Sequence, residues 1–445
     1  MAGNAVYVKS DRLRAMAHRL IPGGCHTYAK GDDQYPVKSP GFISRGEGCH
    51  VWDVDGNEFI EYNMGLRAVT LGHAYEPVVE AAFRQMKLGS NFTRPAPIEI
   101  ECAEALLSLI DHGEQVKFAK DGSTVVSAAV RLARAHTGRS RLAICEDHPF
   151  FSYNDWFIGT TPMNAGIPRA EPALTVTFKY NDIESVHAVF DRYPGEIACL
   201  LMEPARLEEP QAGFLQQVQA LCQRHGALFI LDEMITGFRW DLGGAQKTYD
   251  LEPDLSAFGK AMANGFSVSA LVGKREIMQL GGLQHDRERV FLLSTTHGAE
   301  SHALAAALKV MQIYREQSVV ERLYRQGRRL MAGVEKVTHE LGLQDFFGVL
   351  GRPCNLVFFT RDQDKNPSQA FRTLFLQEMI ARGVLAPSFV VSMAHSDADI
   401  DHTIDAVAES LVIYKKALEH GVEKYLAGRP VQPVFRRYNR RARNT

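Results

Sequence analysis

The stretch Ala-Leu-Phe-Ile-Leu-Asp-Glu (residues 227–233), with Ser-Ala-Phe-Gly-Lys (residues 256–260) after it, decides the fold of this chain. The first run is short and apolar and ends in carboxylates, which is typical of a strand buried inside a parallel sheet. The second run is also apolar and ends in a glycine and a lysine. Asp232 thus ends a predicted strand, and Lys260 follows 28 residues later.

Asp232 and Lys260 are the two side chains that pyridoxal 5'-phosphate (PLP) chemistry needs. A lysine forms a Schiff base with the cofactor aldehyde. A carboxylate keeps the pyridine nitrogen protonated, so that the ring accepts electrons from the substrate. Either residue alone is weak evidence, because a strand-end aspartate often caps a turn and most lysines are solvated.

Around this stretch, strand-like and helix-like segments alternate. Strands are predicted at 116–119, 142–145, 174–178, 197–202 and 227–231, and helices at 123–136, 183–190 and 214–225. This alternation predicts crossover units and a mostly parallel sheet, hence an α/β fold. Ligands of such sheets bind beyond the carboxyl ends of the strands, where Asp232 lies.

The two ends of the chain have a different character. Residues 41–62 predict an antiparallel meander with a tight turn at Asp55-Gly56-Asn57. After Thr296, amphipathic helices are predicted over 303–314, 319–339, 368–382 and 397–419, with a strand at 355–359. These segments predict a second, smaller α+β domain.

The composition excludes several classes of function. A net charge of −2 over 445 residues gives no electrostatic footprint for nucleic acid. Seven scattered cysteines without a CxxC pair indicate free thiols in a reducing compartment. No signal segment and no membrane-length apolar run is present, so a soluble cytoplasmic protein is expected. No metal-binding or Walker-type spacing occurs, and no metal site is predicted.

Three further segments are candidate ligand sites. Asp121-Gly122-Ser123-Thr124 lies between a strand and a helix, where it suits a phosphate cradle or a plain helix cap. The segment 294–298 is polar and precedes a helix, so it is a second candidate anion site. Phe150 follows a predicted strand and suits either stacking on a planar ring or an ordinary core position.

These motifs together resemble class III PLP-dependent aminotransferases of fold type I, which have the aspartate aminotransferase-like fold. The nearest branch contains glutamate-1-semialdehyde 2,1-aminomutase, and the resemblance covers nearly the whole chain. The motifs that carry it are Ile-Pro-Gly-Gly (21–24), Arg-Gly-Glu-Gly (45–48), Trp-Asp-Val-Asp-Gly (52–56), Leu-Gly-His (71–73), Arg-Leu-Ala-Arg (131–134), Glu203-Pro204, Leu-Asp-Glu-Met-Ile-Thr-Gly-Phe-Arg (231–239), Gly259-Lys260 and Ala394-His395-Ser396-Asp397.

The resemblance implies a role for each matching position. Lys260 and Asp232 are the catalytic residues, bound to the cofactor aldehyde and to the pyridine nitrogen. The other cofactor-binding residues are Gly122 and Ser123 at the phosphate, Phe150 and Met234 on the two ring faces, Glu203 near the substrate side, and Thr296 at the phosphate of the neighbouring subunit. A homodimer with shared sites follows from the position of Thr296.

The resemblance also implies three domains. Residues 1–70 are an N-terminal segment that packs with the small domain. Residues 71–300 are the large PLP-binding domain, and residues 301–445 the small α+β domain.

The substrate side departs from the aminomutase pattern. Thr27 and Lys30 stand where the aminomutase has Ser and Arg, and they are candidate substrate residues with Arg67. Leu66 replaces a Trp, Arg67 replaces a small residue, and an acidic loop is missing after Pro387-Ser388. In the cofactor region, Phe151 replaces a histidine, and Gly122-Ser123-Thr124 replaces Gly-Thr-Glu.

The expected function is transfer of an amino group between a small-molecule donor and an aldehyde or ketone. The first alternative is the intramolecular version of this reaction, catalysed by an aminomutase. Another PLP reaction, such as decarboxylation or racemisation, is a further alternative. A cofactor-free protein on the same fold is disfavoured by the intact Asp232 and Lys260 pair.

Overall fold

The computed structural model describes residues 6–147, 150–205 and 207–439. The strands are β1 (Ile43–Glu47), β2 (His50–Asp53), β3 (Glu58–Glu61), β4 (Gln115–Ala119), β5 (Arg141–Cys145), β6 (Thr175–Phe178), β7 (Ile197–Met202), β8 (Leu228–Asp232), β9 (Leu255–Phe258), β10 (Ser269–Gly273), β11 (Phe347–Leu350), β12 (Val357–Thr360) and β13 (Val384–Leu385). The longer helices are α1 (Val8–Leu20), α2 (Glu76–Leu88), α3 (Pro97–Leu107), α4 (Gly122–Thr137), α5 (Ile183–Arg192), α6 (Phe214–His225), α7 (Ser301–Glu316), α8 (Val319–Leu341), α9 (Gln369–Ala381) and α10 (Asp397–His420).

The chain forms two compact units. The first contains the residues up to Tyr75 together with Glu321–Val434, and the second contains Glu76–Val320 and the residues from Phe435 onward. Helix α7 belongs to the second unit because it packs against α2 and α3. The domain bounds expected from the sequence place α7 in the C-terminal domain instead, since an amphipathic pattern does not reveal which partner a helix packs on.

The second unit is built on a seven-stranded sheet of order β4-β10-β9-β8-β7-β5-β6. Strand β10 is antiparallel to both of its neighbours, and the remaining pairs are parallel. The prediction of a mostly parallel α/β sheet is therefore confirmed. Strand β10 was not predicted, because its Ser-Ala-Leu-Val-Gly sequence is short and not visibly alternating.

Apolar layers cover both faces of this sheet. On β8, Leu228 and Ile230 pack into a cluster with residues of α4, whereas Phe229 and Leu231 pack into a cluster with residues of α5 and α6. Burial on both faces explains why the strand reads as a continuous apolar run. The hydrophobic effect thus holds the carboxyl end of β8, and Asp232 with it, in the interior of this unit.

The first unit joins the two ends of the chain through a four-stranded sheet of order β1-β2-β3-β13. Strands β1 to β3 form the antiparallel meander that the sequence predicts. Strand β13 adds in parallel, with Val384 paired to Ile60. Strands β11 and β12 form a separate hairpin of this unit.

All seven cysteines are free thiols, and only Cys25 is not fully buried. Within the described ranges, no helix combines the length and the apolar character needed to cross a membrane.

Candidate active site

The predicted catalytic side chains follow three neighbouring parallel strands. Glu203 comes directly after β7, Asp232 ends β8, and Lys260 lies just beyond β9. The pairing of Met202 with Leu231, and of Asp232 with Ala257, brings these three strand ends to one edge of the sheet. This is the edge at which α/β sheets bind ligands.

Asp232 is a buried carboxylate whose negative charge is only partly stabilised by its surroundings. The residue is 3% exposed, and its Oδ1 accepts a hydrogen bond of 2.9 Å from the Met234 N–H. Burial raises the pKa of Asp232, and the nearby Glu203 carboxylate raises it further. The Met234 N–H and Lys260 act in the opposite direction. A cation placed against Asp232 would therefore be strongly favoured.

The backbone around Lys260 holds the lysine in an unusual conformation. Lys260 has a φ of 46°, in the left-handed region that costs a non-glycine residue about 1–3 kcal/mol. A Cβ atom on the preceding Gly259 would lie 2.7 Å from Met234 Sδ and 2.7 Å from Ser269 Oγ. Only glycine fits at position 259, so the chain approaches Met234 closely just before it presents Lys260.

The N-terminus of α4 lies beside the same methionine. A Cβ on Gly122 would lie 3.0 Å from Met234 Sδ. Asp121 caps the helix by accepting a 2.9 Å hydrogen bond from the Thr124 N–H, as the plain-cap interpretation expects. Ser123 is buried, and its Oγ accepts a hydrogen bond from the Tyr153 N–H at 3.3 Å. The helix cap and an anion site are compatible here. Asp121 accepts from the Thr124 N–H, so the cap leaves the earlier N–H groups at the start of the helix for an anion.

The two phenylalanines after β5 have different environments. Phe150 is 47% exposed and meets Phe157 edge to face, with the ring centroids 5.8 Å apart. Phe151 is buried and packs against the same ring at 5.6 Å. The core interpretation thus applies to Phe151, whereas Phe150 is half exposed and stays a candidate for stacking on a planar ligand.

Thr296 lies in an exposed segment that is tied to its own unit. Its carbonyl accepts a 3.0 Å hydrogen bond from Asn91 Nδ2. Four residues later, Glu300 forms an ion pair with Lys120, which directly precedes the Asp121 cap. The hydrogen bond from Lys120 lowers the pKa of Glu300. Sequence reasoning missed this pair, because nothing in the sequence relates residues 180 positions apart.

The comparison with known proteins decides the family. The sequence profile of class-III aminotransferases matches residues 32–411 of this chain. The chain belongs to the class-III aminotransferase family.

Three relatives of this aminotransferase illustrate its range. Over 425 residues it is 31% identical to the glutamate-1-semialdehyde 2,1-aminomutase of Sulfurihydrogenibium sp. (strain YO3AOP1), covering 90% of this chain and 98% of that protein. It is also 31% identical to the 3-aminobutyryl-CoA aminotransferase of Cloacimonas acidaminovorans (strain Evry), covering 94% and 100% of the two chains. The PLP internal aldimine form of the FumI protein of Sphingopyxis sp. MTA144 superimposes with a TM-score of 0.84 at 27% identity, over 95% and 98% of the two chains.

The predicted substrate residues of the aminotransferase lie in its first unit. Thr27 and Lys30 both line a cavity of about 560 Å³. Leu66 lines the same cavity, and Arg67 follows Leu66 in the chain. The structure thus brings Leu66 to the same cavity as Thr27 and Lys30, which precede it by 39 and 36 positions in the sequence.

The segment after Pro387 is buried rather than looped. Phe389, Val390 and Val391 are fully buried. The Phe389 N–H donates to the Leu356 carbonyl at 3.0 Å, and the Val390 N–H donates to the Tyr62 carbonyl at 3.1 Å. The chain is therefore buried at the point where the family resemblance implies a missing acidic loop.

One group of side chains in the first unit has metal-ligand chemistry. A ligand atom from each of Cys49, His50 and Asp399 lies within 4.8 Å of the others. Asp399 accepts hydrogen bonds from His50 Nε2 (3.0 Å) and from the Ser396 N–H (2.8 Å), and the second of these contacts caps α10. The group serves the helix terminus, and we assign no metal to it.

Proposed function

We propose that this enzyme transfers an amino group between an amino donor and an aldehyde or ketone acceptor, with PLP bound at Lys260. The observation that carries the proposal is the convergence of Glu203, Asp232 and Lys260 at three adjacent strand ends. When bound, PLP supplies an electron-accepting ring that stabilises negative charge on the carbon next to the amino group. The second unit, with its large sheet, is the cofactor-binding domain.

The residues of this unit fit the cofactor part by part. The buried Asp232 carboxylate, whose pKa burial raises, gains a cationic partner when it accepts a hydrogen bond from a protonated pyridine nitrogen. The N-terminus of α4, at Gly122 and Ser123, favours the phosphate dianion. Phe150 and Met234 would contact the two ring faces, and Glu203 would lie toward the substrate side.

Lys260 has two tasks in this proposal. Its Nζ binds the cofactor covalently in the resting enzyme. When freed by an incoming substrate amine, the same nitrogen would be the group that moves the proton at the substrate carbon. The left-handed backbone at Lys260 fixes the direction in which the side chain leaves the chain.

The test of the proposed function is a paired product measurement. We expect a panel of amino donors to yield a keto product from the donor and, in equal amount, a new amine from the acceptor. The panel includes glutamate-1-semialdehyde and 3-aminobutyryl-CoA, which the names of the relatives suggest. A donor that is consumed only with release of carbon dioxide, or only racemised, would show a different PLP reaction.

The aminomutase reaction is the second candidate, because relatives of that name are 31–32% identical to this chain. We nevertheless propose that Thr27, Lys30 and Arg67 bind a different substrate. A lysine at position 30 offers a point charge without the forked geometry that holds a carboxylate in one register. Leu66 supplies no aromatic wall to the cavity, and the buried segment after Ser388 carries no acidic loop.

We therefore expect glutamate-1-semialdehyde to be a poor substrate. An aminomutase must retain its intermediate while the cofactor changes form, and the altered substrate side does not provide for this retention. Steady-state kinetics with the semialdehyde as substrate measure kcat/KM and test this expectation directly. A kcat/KM above roughly 10⁴ M⁻¹s⁻¹, within the ordinary enzyme range, would make the aminomutase assignment correct.

The aminotransferase is proposed to act as a homodimer in which Thr296 reaches the phosphate at the neighbouring site. Support comes from α2, which is apolar on two sides. Val79, Phe83 and Met86 are 44–47% exposed and follow one another at helical spacing, while Val78 and Ala82 are buried. An exposed apolar stripe on a helix that is already packed is typical of a subunit interface. Asn91, which binds the Thr296 carbonyl, lies close after this helix.

Phe83→Glu is expected to convert the dimer to monomers and to weaken PLP binding, because a carboxylate cannot be buried unpaired in an apolar interface. Sedimentation gives the mass, and cofactor titration gives the affinity. Val412→Glu is the matched control, since Val412 is a 42% exposed residue of α10. A wild-type protein that is an active monomer at assay concentration would contradict the shared site.

We propose a cytoplasmic location, which the seven free and mostly buried thiols support, since disulfides are rare in a reducing compartment. The proposed partners are small-molecule donor and acceptor and a second copy of the chain, with no role for nucleic acid or a membrane.

A further inference from the structure

The ion pair between Lys120 and Glu300 is largely withdrawn from water. Its side chains are 30% and 18% exposed. The hydrogen bond that Lys120 Nζ donates is the main reason why the pKa of Glu300 lies below its ordinary value. Two histidines also approach this carboxylate, with His297 Nδ1 at 3.3 Å and His302 Nε2 at 4.0 Å. Glu300 is thus a charged carboxylate whose main partner is Lys120.

Backbone contacts hold both members of this pair in place. The Lys120 carbonyl accepts a 2.8 Å hydrogen bond from Ser267 Oγ. Directly after Glu300, the Ser301 N–H donates to the Ser90 carbonyl at 3.0 Å. Most exposed ion pairs contribute little, because two long side chains must be ordered to form them. Here the two chain segments are already fixed, so the Glu300 carboxylate stays at this place even if Lys120 is replaced.

The pair lies beside the start of α4. Lys120 directly follows β4 and comes two positions before Gly122, with which α4 begins. The N–H groups at this helix start are the proposed phosphate site, and a phosphate dianion responds to every charge close to it. An unpaired Glu300 carboxylate would repel the dianion, whereas the pair as a whole carries no net charge.

We propose that Lys120 is a positioning residue for the cofactor phosphate, which acts by neutralising the Glu300 carboxylate beside the start of α4. This inference rests on the proposed function, which places the PLP phosphate at Gly122 and Ser123. Lys120 needs no contact of its own with the phosphate. The two partners therefore have unequal effects: loss of Lys120 leaves a repulsive charge, whereas loss of the Glu300 charge removes one.

The experiment titrates the cofactor-free protein with PLP and with pyridoxal, which has the same ring and aldehyde but no phosphate. Lys120→Met should weaken PLP binding about tenfold or more, because it leaves an uncompensated carboxylate beside the dianion. It should leave pyridoxal binding near the wild-type value. Glu300→Gln keeps an oxygen acceptor for Lys120 and should bind PLP at least as tightly as wild type. The double variant, Lys120→Met with Glu300→Gln, has neither charge and should recover most of the lost affinity.

Two controls separate charge from structure. Lys120→Arg keeps the positive charge and should bind PLP nearly as wild type does. Lys274→Met breaks a matched ion pair of the same unit, since Lys274 Nζ lies 2.6 Å from Asp254 Oδ1 and the two side chains are 35% and 16% exposed. Asp254 precedes β9, so this pair lies at the opposite edge of the sheet from Lys260, and PLP affinity should not change.

A purely structural role of the pair would give a different pattern. Unchanged PLP affinity in Lys120→Met, equal losses in Lys120→Met and Glu300→Gln, or a loss of pyridoxal binding as large as that of PLP would overturn the inference. If Lys120→Met does not fold, Glu300→Gln still decides, because weaker PLP binding by that variant contradicts neutralisation. A wild-type protein that forms no covalent bond between PLP and Lys260 would instead refute the proposed function.

Discussion

Lys260→Ala should abolish covalent attachment of PLP and all measurable turnover while leaving the fold intact. The lysine is the proposed covalent ligand and also the group that moves the proton, so its loss removes two functions at once. The fold should survive because the side chain follows β9 and contributes nothing to the apolar layers of the sheet. Borohydride reduction followed by peptide mass mapping locates the attachment, and circular dichroism reports the fold.

Lys117→Ala is the matched control for this experiment. Lys117 is an exposed lysine on β4 of the same unit, so its removal tests whether any lysine nearby affects the cofactor. Wild-type behaviour is expected of it. Reduced cofactor found on a lysine other than Lys260 in the wild-type protein would refute the assignment of Lys260 as the covalent ligand.

The positions of Asp232 and Lys260 could be predicted because a buried parallel strand leaves a clear trace in the sequence. A short apolar run such as 227–231 predicts a central strand, and a parallel sheet brings the carboxyl ends of its strands to one edge. The pairing of Asp232 with Ala257 places Asp232 at this edge, beside the end of the strand that precedes Lys260. The family motifs then assigned roles that the pattern alone left open.

The features that escaped prediction depend on contacts between distant parts of the chain. The Lys120 and Glu300 pair, and the support of Arg67 by Asn355, join residues far apart in sequence. Local propensity also gives no warning of the left-handed turn at Met64–Arg67, where φ lies between 44° and 72°, since Leu66 and Arg67 favour right-handed helix. The turn exists because its surroundings override that preference, and the unit in which α7 packs depends in the same way on contacts that its own sequence does not encode.

Asp232→Asn should leave PLP bound but lower turnover by several orders of magnitude. The proposed phosphate site at α4 and the proposed bond to Lys260 are unchanged, so binding should persist. The amide carries no charge to keep the pyridine nitrogen protonated, and the ring then accepts electrons poorly in the difficult step. Single-turnover kinetics on the reconstituted variant measure the effect. Activity within about tenfold of wild type, or ~1.4 kcal/mol in the barrier, would contradict the role of Asp232.

The same substitution should change how the stability of the cofactor-free protein depends on pH. Burial raises the pKa of Asp232 in the folded state, so between the unfolded pKa near 3.9 and the folded pKa the folded protein binds more protons. Stability from this group is therefore present at low pH and is lost as pH rises through the folded pKa. Glu233, whose pKa burial raises to about 7, acts in the same direction and is common to both proteins.

Cofactor-free Asp232→Asn should accordingly melt at or above the wild-type temperature near neutral pH, with a shallower decline between pH 5 and 8. A neutral amide is easier to bury than an unpaired carboxylate. Thermal midpoints of the two cofactor-free proteins across this range measure the difference. Identical pH dependence of the two proteins would mean that the charge of the buried Asp232 does not destabilise the folded cofactor-free protein. If the slopes of thermal midpoint against pH differ as expected, Asp232 destabilises the cofactor-free enzyme because its charge lacks the cationic ligand that it is placed to bind. Adding PLP should then stabilise the wild-type protein more than the variant.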